Sequence, residues 1–229
     1  MSTTHQINDT GSEPTSVASG DKLFGYDASA GIPVAFTRDA LIQGTSADKA
    51  TAVGAINAAT GLACTVGYNP GTGHFRLDFT LTSVSITVTD AAGSGSSGSL
   101  KIFDFVQGGI VPIACRQNYT AFAEGGALTG GAGDAAFVMS LGSAAANAGD
   151  GVLADATEID FGASTATITL SGGTGTGTKH SAALAVVDGT ATAADLYLNW
   201  SGTAATIDAN SAISVTGTIT VLGVMTGDD

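Results

Sequence analysis

Charge is the scarcest thing in this chain. Only 12% of its 229 residues are Asp, Glu, Lys or Arg, against about a quarter in an ordinary soluble domain. The basic side of that small set is thinner still, with 7 Lys and Arg against 20 acids, giving a net charge of -13. A surface of that sign repels phosphate backbones, which argues against direct nucleic-acid binding. No run of 18 apolar residues occurs, and the first twenty residues, MSTTHQINDTGSEPTSVASG, lack a basic start and an apolar stretch. Neither a membrane anchor nor a signal peptide is therefore expected. Two cysteines, Cys64 and Cys115, could pair if they meet in space, but without a secretion signal two reduced, packed thiols are expected. The three N-x-S/T sequons at Asn8, Asn118 and Asn199 then carry no meaning as glycosylation sites.

What is abundant is Gly, Ala, Ser and Thr, arranged in alternation. Near the C-terminus Ile213, Val215, Ile219 and Val221 share one parity while Ser, Thr and Gly occupy the other. This period of two belongs to a strand with one buried face. Phe75, Leu77, Phe79 and Leu81 repeat it, and Val84, Ile86 and Val88 continue it in the opposite phase, so a bulge or bend is expected between Leu81 and Val84. Further strands are expected at 100–106, 108–113, 119–123, 134–141, 157–161, 165–170, 181–187 and 195–200. Nine or ten short strands between Gly-rich turns predict an all-β chain built as a β-sandwich, with a jelly roll as one form of it.

The domain reading has three parts. Residues 1–20 form a polar arm with too little apolar area to fold alone. Residues 21–44 form a small module, a β-turn-β unit around Asp27-Ala28-Ser29-Ala30-Gly31 followed by a helical turn capped by Thr37. Residues 45–229 form the main domain. The Ala-rich stretch 46–59, with Val53 and Ile56 three apart, reads as a weak helix. From Gln117 onward there are 11 acids and the single base Lys179, so the first part of the chain is the better candidate to face an acidic partner.

Candidate chemistry is sparse. Gly93 to Gly98 matches G-x-G-x-x-G, but Leu100 to Phe105 behind it reads as a strand, and a phosphate loop needs a helix N-terminus there. A flexible loop between strands is the expected reading. His5, His74 and His180 are scattered without metal-ligand spacing, so no metal or other cofactor is expected. Carboxylates gather at Asp150, Asp155, Glu158 and Asp160 and again at Asp188 and Asp195, without the alternation of a calcium-binding EF-hand loop. Turn chemistry at Asp150-Gly151 and Asp188-Gly189 is the favoured explanation. Trp200, the only tryptophan, shares its parity with Leu196 and Leu198 and is expected in the core. No catalytic residue is singled out, and the chain is not expected to be an enzyme.

Three segments together carry a resemblance: Gly98 to Ile110, Phe137 to Ala146, and Asp188 to Val221. They resemble tailed-bacteriophage virion structural proteins, and the unit from Asp21 to Ile42 is similar to short β modules near the N-termini of phage tail and head fibres. The resemblance implies a virion protein made in the host cytoplasm, a homotrimer, and a capsid decoration (cement) protein that contacts the major capsid protein on the shell exterior. It carries no catalytic residue. The alternative it leaves open is a receptor- or glycan-binding module of a head or tail fibre.

Overall fold

The computed structural model describes residues 22–27, 32–37, 52–90, 95–124, 134–147, 152–171, 176–181, 186–202 and 210–226. The arm at 1–20 lies outside these residues, as do 38–44 of the expected helical turn. Of the small module, β1 (Lys22–Asp27) and β2 (Ile32–Thr37) pair antiparallel as a two-stranded sheet. Thr37 ends β2 as a strand residue.

The main sheet has eleven strands: β3 (Gly54–Ile56), β4 (Leu62–Tyr68), β5 (His74–Asp90), β6 (Ser96–Phe105), β7 (Gly108–Glu124), β8 (Asp134–Gly142), β9 (Ile168–Ser171), β10 (Gly177–Ser181), β11 (Val187–Gly189), β12 (Asp195–Gly202) and β13 (Ser211–Met225). Their order is β10-β7-β13-β5-β6-β12-β8-β9, with β11 beside β7, β3 beside β6 and β4 beside β5. The all-β expectation holds. The strands are joined by hydrogen bonds into one antiparallel sheet that curls until it is nearly a barrel.

The junction between the two halves of that sheet is short. β5 and β6 pair only through Val88, Thr89 and Asp90 against Gly98, Ser97 and Ser96. On the opposite side the sheet closes through side chains. Gly162, bridged to Leu141, leaves no room for a side chain, because a Cβ there would lie 2.9 Å from both Cys115 Sγ and Gln117 Nε2 of β7. Gln117, fully buried, donates to Ala163 O at 3.0 Å and accepts from Tyr119 Oη at 2.8 Å. Ile168 of β9 lies against Gly177 of β10.

The core fills this closed space. Phe79 meets Phe103, Phe103 meets Phe105, and Phe105 stacks on Phe161 with ring centroids 5.3 Å apart. A second run joins Tyr119, Phe122, Phe137 and Trp200. Aromatic pairs of this kind add about 0.5–1.5 kcal/mol beyond their area burial. Trp200 is fully buried, as its parity predicts.

Several local expectations are met and several are corrected. β5 runs unbroken through its change of phase: Ser83 takes φ 52, its N–H donates to Thr216 Oγ1 at 3.1 Å, and β13 shifts register opposite it between Val215 and Gly217. The expected strands at 108–113 and 119–123 are one strand, β7, with Pro112 at a register shift that spares it from donating to the ladder. The helix expected over 46–59 is not what its described part forms. Ala52 and Val53 are helical, but Gly54, at φ 141, reverses the backbone and 54–56 pairs with the open edge of β6. The strand expected at 157–161 is a 3-10 turn, Ala156–Glu158. There the Glu158 carboxylate accepts from Asp155 N–H, which tightens a turn rather than extending a strand. The strand expected at 165–170 begins only at Ile168. Of 181–187, only the ends are described, in β10 and β11. β4 had no counterpart among the expected strands.

The glycine-serine segment is also corrected. Residues 96–98 are not a loop but the first part of β6, with Ser96 and Ser97 buried between β5 and β12. A Cβ on Gly98 would lie 2.4 Å from Thr87 O, so the two backbones approach too closely at this corner for any other residue. Gly98→Ala is therefore expected to lower stability by about 1–3 kcal/mol through overpacking. A denaturant titration followed by the fluorescence of the buried Trp200 measures it, and an unchanged midpoint contradicts this account of the corner.

Candidate functional site

The two halves of the sheet differ in what lies on their outer faces. On β6, β12 and β8 the outward residues include Ser99, Asn199, Ser140 and Gly142, and residues 143–147 and 155–160 lie over them. Asn199 is fully buried; its Nδ2 donates to Ala144 O at 3.0 Å and Glu158 O at 3.1 Å, and its Oδ1 accepts from Ser99 Oγ at 2.7 Å and Ala146 N–H at 3.1 Å. Ser140 Oγ donates to Glu158 O at 2.7 Å. This burial closes the Asn199 sequon to modification, and Asn118 sits half-buried within β7.

The carboxylate cluster is the clamp of that segment. Glu158, 1% exposed, accepts from Asn147 N–H at 2.8 Å, and Asp160 accepts from Ser143 N–H at 2.7 Å and Ser143 Oγ at 2.5 Å. Asp155 accepts from Asn147 Nδ2 at 2.6 Å. Their oxygens are thus directed at backbone and amide donors. Asp150 lies outside the described residues. Asp188 accepts from Thr190 N–H and Oγ1, the turn chemistry expected there. Among the described residues no three His, Cys, Asp or Glu side chains are grouped so as to hold a metal ion.

One carboxylate pair was not visible in the spacing. Asp104 and Asp195 are direct cross-strand partners on β6 and β12. Lys101 Nζ lies 2.6 Å from Asp104 and 3.6 Å from Asp195, and Tyr197 Oη donates to Asp195 at 3.1 Å. The Lys101 hydrogen bond holds Asp104 below its ordinary value even though partial burial opposes it. The ammonium between the two acids makes this a compensated surface cluster.

The other half, β4-β5-β13-β7-β10, has an outer face that none of the described residues covers. One row across it runs Thr65, Asp78, Thr220, Arg116 and His180, and the next runs Ala63, Thr80, Thr218, Asn118 and Thr178. Arg76 makes a two-pronged pair with Asp78 at 2.6 and 2.9 Å, and Thr220 Oγ1 donates to Asp78 at 2.7 Å. Burial raises Asp78, but Arg76 and Thr220 outweigh it and leave the carboxyl below its ordinary value. At the end of this face an open groove of about 500 Å³ is lined by Tyr68, Asn69, His74, Arg76, Ile113 and Leu222 among others. Ile113 is 39% and Leu222 36% exposed. The extra residue at the β7–β13 register shift puts Ile113 here. So His74 lines the groove, His180 stands beside Arg116, and His5 lies outside the described residues.

The thiols do not meet: Cys64 on β4 and Cys115 on β7 are both free. Burial pushes each up to about 12, with the Asp78 charge adding to the effect at Cys64. Neither is a thiolate at neutral pH, so neither is an activated nucleophile.

Compared with known protein families and with curated proteins, the chain matches none.

The clamp yields a test. Burial raises the Asp160 carboxyl above the ordinary 3.8 against the pull of its Ser143 hydrogen bonds. The folded chain therefore holds a proton that the unfolded chain has released, so the Asp160 contribution grows as pH falls through the folded pKa and levels off below 3.8. Asp160→Asn is expected to flatten stability in that window. Asp160→Ala leaves Ser143 N–H unpaired at a cost of about 1–3 kcal/mol at pH 7. Urea midpoints for the three proteins across pH 3–7 check both; parallel pH profiles for wild type and Asp160→Asn would contradict the assignment.

Proposed function

We propose that this chain is a virion structural protein of a tailed bacteriophage, a capsid decoration protein that clamps major capsid subunits. The observation that carries the reading is the face of β4-β5-β13-β7-β10 that none of the described residues covers. In a chain of net charge -13, this face presents mainly hydroxyls and one amide in register beside Arg116 and His180, and its one acid among the paired rows, Asp78, is paired with Arg76. The scarcity of acids on this face and the exposed Ile113 and Leu222 suit burial against another protein. The stretches that carry the phage resemblance are also neighbours in space, since β12 lies between β6 and β8. Many copies, each making a modest contact, would hold an expanded shell through multivalency.

A second reading is favoured by the groove, whose lining includes Tyr68, Asn69, His74 and Arg76. That combination of an aromatic ring with planar polar groups suits a sugar, as a fibre-borne receptor-binding module requires.

Co-sedimentation separates the two. Purified protein is mixed with mature shells assembled from the major capsid protein of the same genome, and in parallel with host envelope fractions. Saturable pelleting at a fixed ratio to shell subunits is expected. A Thr80→Asp, Thr178→Asp double variant, which charges the hydroxyl face at two positions that are not cross-strand partners, is expected to weaken it about tenfold, or 1.4 kcal/mol, and its unfolding midpoint shows that the loss is not one of folding. Binding to envelope alone, lost in Tyr68→Ala, would move the assignment to receptor recognition.

A further inference from the structure

β4 is hydrogen-bonded along one side only. Asn69 N–H donates to His74 O at 2.8 Å and Thr82 N–H to Gly61 O at 2.8 Å. Because bonded and non-bonded pairs alternate in an antiparallel ladder, Ala63, Thr65 and Gly67 share that side and turn their backbone groups toward β5. The N–H and C=O of Cys64, Val66 and Tyr68 then point away from β5, and no strand among the described residues takes them up. Leu62 N–H is used locally, by Ala59 O at 3.1 Å, which leaves its C=O on the open side.

The side chains of this strand are also incompletely covered. Leu62, Cys64, Val66 and Tyr68 pack against the core but are only half-buried. Natural edges of this length are commonly blunted by a Lys, a Pro or a bulge. Leu62–Tyr68, LACTVGY, has no charged residue and no proline, and its register with β5 is unbroken.

We propose that β4 is a homotypic docking edge, which pairs antiparallel with β4 of a second copy about a two-fold axis at Thr65. Two observations choose a second copy as the occupant. The first is charge. Two chains of net charge -13 repel one another unless they meet on an uncharged strip, and β4 is such a strip. The charges beside it on β5, Arg76 and Asp78, neutralise each other at 2.6 Å.

The second is self-complementarity. A register centred on Thr65 overlaps all seven residues and places outward-pointing backbone groups opposite one another. Cys64 faces Val66 of the second copy, with two hydrogen bonds for each such pair, and each Tyr68 N–H reaches Leu62 C=O. On the inner side Tyr68 lies opposite Leu62 and Val66 opposite Cys64. On the outer side Ala63 lies opposite Gly67, and Thr65 meets its own symmetry mate, a favourable cross-strand pair. The contact is isologous, so it closes at two chains. It replaces the three-fold assembly implied by the phage resemblance, and it stands independently of the decoration reading.

The axis position gives a direct test on the purified full chain. Facing residues in a non-hydrogen-bonded pair have Cα atoms about 4.5 Å apart, within the span of a disulfide. In a Cys64→Ser background, Thr65→Cys is expected to run as a covalent dimer on a non-reducing gel after mild oxidation. Ala63→Cys, equally exposed but opposite Gly67, is expected to remain a single chain. Light scattering of the wild type is expected to give twice the chain mass. Val66→Pro deletes an outward N–H and spares the ladder to β5, so it is expected to return the mass to one chain. Crosslinking of Thr65→Cys no stronger than that of Ala63→Cys, or a wild-type mass of one or three chains, overturns the proposal.

Discussion

The double ladder of β13 is the constraint on which the remaining strands depend. Its fifteen residues pair with β5 along one edge and with β7 along the other. A strand so placed has its backbone donors and acceptors satisfied within the sheet, and it can shed water only if both neighbours are long enough to match it. β5 and β7 are seventeen residues each, the longest strands of the chain. The bulge in β5 at Ser83 and the register shifts in β13 are the adjustments that keep the three strands matched while they twist.

Curling follows from that twist. Three long strands cannot remain flat, and the short β5–β6 corner lets the chain fold back so that β6, β12 and β8 oppose them. The aromatic runs from Phe79 to Phe161 and from Tyr119 to Trp200 then fill the enclosed space. Where the sheet does not close by a ladder, it closes by the fit of Gly162 against Cys115 and Gln117. Among the described residues β4 pairs on one side only, with β5.

The asymmetry of the outer faces has a different origin. One half is hidden by residues 143–147 and 155–160, held there by the buried Asn199, Glu158 and Asp160. The other half is not covered by any of the described residues and carries threonines. Acids that look in the sequence like a cation site serve as clamps, because their nearest partners are backbone N–H groups of the segment they hold. Among the described residues, the half without a covering segment is the one whose hydroxyls stay exposed.

The periodicity of apolar residues determined by itself that the chain is all-β, that Trp200 and the Ile213 series face inward, and that β5 changes phase near Ser83. These are local consequences of side chains alternating across a strand, and each can be read from residues two apart. The sequence also shows that Leu62–Tyr68 carries no charge. The tertiary structure alone decided that β13 is central, that 54–56 and 96–98 are strands and 157–158 a turn, that Asp104 faces Asp195, and that among the described residues β4 pairs on one side only. Those outcomes depend on which distant backbone offers a partner: β6 offers an open edge to Gly54, and Asn147 offers an N–H to Glu158. Such pairings join residues 11 apart at Asn147 and Glu158 and about fifty apart at Gly54 and Phe105, and no local pattern of small side chains encodes them.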